Sequence, residues 1–75
     1  MSDYVTIIGG IAHDYFAGFE YEVREAHIVS GETVAKAYGE AKQKLKTIEG
    51  KLHLPKLEIK RFAPLDLDIN LDTYA

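Results

Sequence analysis

Val34, Tyr38, Ala41, Leu45, Ile48 and Leu52 are separated alternately by four and three residues. That period sets all six along one side of an α-helix. A helix with a single apolar stripe must bury it against another layer, and the rest of the chain supplies strand-like sequence for that layer. Ser30 offers a side-chain cap ahead of the helix, and Glu32 falls in its first turn, where the dipole favours an anion. Gly50 is suited to end it and Pro55 lies just beyond, so the helix is expected to stop between Glu49 and Leu52. On this reading Leu45→Ala costs about 2–5 kcal/mol and Lys44→Ala nearly nothing.

Upstream, Tyr4 to Ile8 is β-branched and aromatic, and an apolar run resumes at Ile11 after Gly9-Gly10. The glycine pair suits either a hairpin turn or a bulge within one longer strand, and the bulge is the favoured reading. Asp14 to Gly18 makes the better turn. Phe19, Tyr21 and Val23 then alternate with Glu20, Glu22 and Arg24, the pattern of a half-buried strand. Ala26 and Ile28 have the opposite parity, which a second bulge near Arg24-Glu25 would correct. After the helix the odd positions from Leu57 to Leu71 are apolar except Arg61, with Pro64 as a break. Strands are expected at about 56–62 and 65–71.

The expected fold is α+β: a small antiparallel sheet of three or four strands in the order β-β-α-β(-β), with one amphipathic helix packed on one face. Seventy-five residues, 47% apolar and 28% charged, make one domain, 1–75. A core this small holds only about 3–5 kcal/mol unless something reinforces it. With no cysteine to supply disulfides, self-association as a homo-oligomer is an expected compensation. The N-terminus shows no basic region ahead of an apolar run, and no stretch is long enough to cross a membrane; a cytoplasmic protein without a membrane partner is expected.

Charge is segregated along the chain. Residues 1–31 set five acids against Arg24 for a net −4; residues 32–61 set seven lysines and Arg61 against four glutamates for +4; Asp66, Asp68 and Asp72 add −3. The basic stretch 36–61 is the basis of one functional reading, a nucleic-acid-binding module. The helix lysines spread around the polar arc, however, which suits a solvated helix, and the surviving basic patch is Lys56, Lys60 and Arg61.

Motifs for chemistry are few. His13, His27 and His53 lie in separate segments with no ligand spacing between them, so no metal is assigned. Asp66, Asp68, Asn70 and Asp72 superficially follow a calcium loop, but Leu71 occupies the position that requires glycine. They read instead as the acidic face of a strand. The glycines form no phosphate-binding loop, so no cofactor is assigned. Gly18-Phe19-Glu20-Tyr21 resembles the stacking strand of RNA-recognition motifs only in part: Ala17 replaces the basic residue and the flanking glutamates repel phosphate.

No nucleophile, base and orienter are brought together by sequence, and catalysis is not expected. The favoured reading is a small non-catalytic interaction protein, a regulator or inhibitor that binds another protein. Its candidate contact residues are Tyr15, Phe16 and Phe19 together with Lys56, Lys60 and Arg61. Chains of this size include many such regulators, phage-encoded ones among them, although no residue here points to a source.

Overall fold

A computed structural model describes residues 2–65 of the chain. The order is β1 (Ser2–His13), β2 (Glu20–Gly31), α1 (Val34–Glu49) and β3 (His53–Pro64). The strands form one antiparallel sheet in the spatial order β2-β1-β3. The helix packs on one face, which makes the chain an α+β fold of two layers. The strand expected at 65–71 and the acidic row from Asp66 lie outside the described residues, apart from Leu65.

Pairing in register fixes which side chains share a face. Tyr4, Thr6, Ile8 and Ala12 of the central strand point toward the helix, together with Val29 of β2 and Ile59 and Phe62 of β3. The Phe62 ring joins the layers: it stacks on Tyr4 at 5.0 Å and meets Tyr38 of the helix edge-on at 5.2 Å.

The buried line of the helix runs through Ala37, Ala41 and Ile48. Val34, expected in the stripe, is 59% exposed, and Leu45 is only half-buried. Small residues explain the rotation. A Cβ on Gly31 would lie 2.6 Å from the Ala37 amide nitrogen, so the first helical turn rests directly on the end of β2. Alanines are what such a close approach admits. The N-cap is Thr33, whose hydroxyl accepts from the Lys36 amide at 3.2 Å. Ser30, the expected cap, remains in β2 and donates instead to Asp3 Oδ1 at 2.6 Å. Gly50 caps the C-terminus as expected.

The Gly9-Gly10 pair sits inside one continuous strand. The irregularities face it from β3: Lys60 is an extra residue between the pairs Ile7–Arg61 and Ile8–Ile59, and Leu54-Pro55 bulge opposite Ala12. Gly10, at φ 154°, is required because a Cβ there would fall 2.0 Å from the Lys56 carbonyl oxygen. Thr6, fully buried, donates its hydroxyl to the Arg61 carbonyl at 3.0 Å, satisfying the backbone where the bulge disturbs the ladder. Pro55 is accommodated because it lies in the bulge, where the ladder with β1 needs no N–H from it.

The bulge expected near Arg24-Glu25 is absent, since β1 and β2 stay in unbroken register from Ser2–Gly31 to His13–Glu20. The parity change in the sequence therefore persists. Ala26 and Ile28 turn to the helix-free face beside Ile7 and Val5, while Glu25 and His27 turn to the helix side and bond each other at 2.9 Å. β2 tolerates this because the Glu25 and His27 side chains stay partly exposed on that side.

Candidate functional site, an aromatic end of the sheet

The loop from Asp14 to Phe19 joins β1 to β2 and carries three of the expected contact residues. Asp14 organises it. Its Oδ1 accepts from the Phe16 amide at 3.0 Å and the Ala17 amide at 2.7 Å, while its own amide donates to the Phe19 carbonyl at 2.8 Å and its carbonyl accepts from the Gly18 amide at 3.0 Å. Gly18 closes the loop at φ 78°, a left-handed conformation that suits glycine. With its backbone tied in this way the loop presents Phe16 at 95% exposure, Tyr15 at 72% and Phe19 at 58%.

The β1–β3 pairing adds residues that sequence reading passed over. His53, the register partner of His13, meets the Tyr15 ring edge-on at 4.9 Å, and Tyr15 in turn meets Phe16 at 5.2 Å. Next to His53, Leu54 is 62% exposed and holds a left-handed backbone at φ 48°. Tyr21 continues the surface on β2. Between these residues and the C-terminal end of the helix is a shallow depression of about 360 Å³, lined in part by Leu52 and Lys51. One end of the sheet thus carries an apolar, mainly aromatic surface built from two separate stretches of chain. Proximity to His53 in the fold had no local signature; the Leu54-Pro55 dipeptide near the start of β3 was the available clue, since proline in a strand marks a bulge or an edge.

The basic candidates form a second location. Lys56 is the register partner of Ile11, Arg61 that of Ile7, and the aliphatic stem of Lys60 lies across Gly9, so all three are on the helix-free face. Lys60 is tied to Glu58 at 2.6 Å, and that hydrogen bond, with the charge of Lys60, lowers the Glu58 carboxyl below its ordinary range. Lys36, Lys42, Lys44 and Lys46 are exposed on the helix, which is on the opposite side of the sheet. Lys36 approaches Glu32 at 3.8 Å, and Lys42 is 5.4 Å from the Tyr38 ring. The fold divides the lysines between two surfaces.

The histidines have local partners: His13 lies 3.9 Å from Glu20, His27 bonds Glu25 and His53 packs on Tyr15. Among the described residues no three histidine or acidic side chains are placed to share a metal ion, and no helix is long and apolar enough to cross a membrane. No family model, curated protein or solved structure matches the chain.

Proposed function

We propose that this protein is a non-catalytic interaction protein that binds another protein through the aromatic end of its sheet. The observation that carries the reading is Phe16, 95% exposed on a loop whose backbone is hydrogen-bonded to Asp14. Leaving large rings in water is unfavourable, and a contiguous exposed apolar patch is characteristic of contact surfaces. Tyrosine and phenylalanine give large contact area for few rotatable bonds, and a tied loop reduces the entropy lost on association. A projecting ring of this kind fits an apolar pocket on a partner. Occupying such a pocket is a means by which a small cytoplasmic protein regulates or inhibits a larger one.

Paired captures from the native cell test the reading, using the parent chain and Tyr15→Ser/Phe16→Ser. Both substitutions are at exposed positions, so thermal unfolding should be little changed. A partner retained by the parent and lost by the variant supports the proposal. Equal retention by both places the contact elsewhere.

A further inference from the structure

Among the described residues α1 covers one face of the sheet, and the other face carries its charges in cross-strand rows. Register places Glu22 of β2, Ile11 of β1 and Lys56 of β3 in one row, and Arg24, Gly9 and Glu58 in the next on that face. The sign order is reversed between the rows: acid to base in the first, base to acid in the second. Further along β1, Ala26 pairs with Ile7, and Ile28 and Ala63 flank Val5. All four charged residues and Ala26 are exposed, as are Ile11 at 38% and Ile28 at 58%.

We propose that this face binds a second copy of the chain, the two sheets stacked face to face about a twofold axis parallel to β1. Such a rotation exchanges left and right but keeps height along the strand, so β2 of each copy lies over β3 of the other at the same row. Each acid then meets a base. Glu22 faces Lys56 of the second copy, Arg24 faces Glu58, and the symmetry makes each pair twice. Glu58 is bonded to Lys60 at 2.6 Å yet its side chain is 69% exposed, which leaves room for a second cation. Ile7 and Ile11 lie along the axis against their own counterparts, and Ile28 faces the smaller Ala63. Stacked sheets keep their strand directions within about 30° of each other, a departure that long charged side chains span. An axis running across the strands between these two rows would also oppose unlike charges, but Ile28 would then hang beyond the contact. Only the axis parallel to β1 buries Ile28 together with the charges. Three strands of twelve residues, at about 3.3 Å per residue and about 4.8 Å per strand, give a face on the order of 600 Å² per copy. Two such faces reach about the lower limit for a specific interface, so the dimer is expected to be a weak one. The rotation also leaves both Asp14–Phe19 loops at one end of the pair, so the dimer presents two aromatic surfaces to one side. None of the aromatic contact residues takes part, and the two surfaces are independent.

Sedimentation equilibrium of the full chain, over a range from about 1 to 500 μM, tests this by reading a dissociation constant expected on the order of 10–100 μM. Glu22→Lys and Lys56→Glu should each weaken association roughly tenfold or more, since each reversal turns two attractive pairs repulsive, and the double exchange should return it to within about threefold of the parent. Arg24→Glu should weaken association likewise, and Lys44→Glu, on the exposed side of the helix, should leave it unchanged. Every one of these positions is exposed, and thermal unfolding of dilute protein verifies that each variant is folded. A chain that stays monomeric at the highest concentration overturns the proposal and leaves the face to a different occupant. So does a double exchange that associates no better than its single variants: with the axis across the strands, that exchange would set like charges together.

Discussion

Leu54 has no local reason to hold φ 48°, since a left-handed conformation costs a non-glycine residue about 1–2 kcal/mol. The bulge opposite Ala12 imposes it, and the exposed side chain adds apolar area beside Tyr15 and His53. Leu54→Gly should therefore leave the unfolding free energy unchanged, or raise it by up to about 1 kcal/mol, while weakening partner capture. Destabilisation by more than that in urea would show that the leucine is held by packing. Thr6 presents the reverse case, a fully buried residue whose hydroxyl bonds the Arg61 carbonyl. Thr6→Val preserves shape but removes the donor, so chemical denaturation should show a loss of about 1–3 kcal/mol. Thr6→Ser, which keeps the hydroxyl, should lose less. If valine were as stable as threonine, the disturbed ladder would not depend on that bond.

The helix illustrates how far pattern reading extends to a packed element. Its existence followed from spacing alone, because a stripe at intervals of three and four has no alternative in a strand, and its end followed from Gly50 and Pro55. Its rotation did not, because Ala37 and Ala41 carry too little apolar area to stand out, and what places them against the sheet is Gly31, a residue outside the helix. Ala41→Leu should thus cost about 1–3 kcal/mol by overpacking. Leu45→Ala, at a half-buried site, should fall at or below the lower end of its expected range of about 2–5 kcal/mol. A larger loss at Leu45 than at Ala41 in the same denaturation series would restore the stripe as first read. The strands were legible through alternation, and so was the turn at Asp14. The bulges at Lys60 and Leu54-Pro55 were not, since they are defined only by pairing with β1, more than forty residues away in the chain. For the same reason Tyr15, Phe16 and Phe19 could be nominated from sequence as candidate contact residues, whereas the nearness of His53 to Tyr15 emerges only in the fold.

At the level of the molecule, the described residues form a plate measuring 43 × 27 × 12 Å, with little room for an enclosed pocket among them and with two broad faces and an aromatic end. The lysines are split between the faces, so no single surface collects all of them for phosphate contacts. Anisotropy titration with random DNA or RNA near physiological salt should therefore detect no affinity tighter than about 10 μM. Tight binding that weakens steeply with salt and on charge reversal at Lys56, Lys60 and Arg61 would favour a nucleic-acid-binding module. The proposed contact through the aromatic end is addressed directly by site-specific photo-crosslinking in the native cell. A photoreactive phenylalanine analogue replaces Phe16 in one version of the chain and Lys44, on the exposed side of the helix, in another. Discrete protein adducts from position 16, absent from position 44, are the result expected here. Adducts from position 44 alone, or none from position 16, would contradict a contact made through the aromatic end.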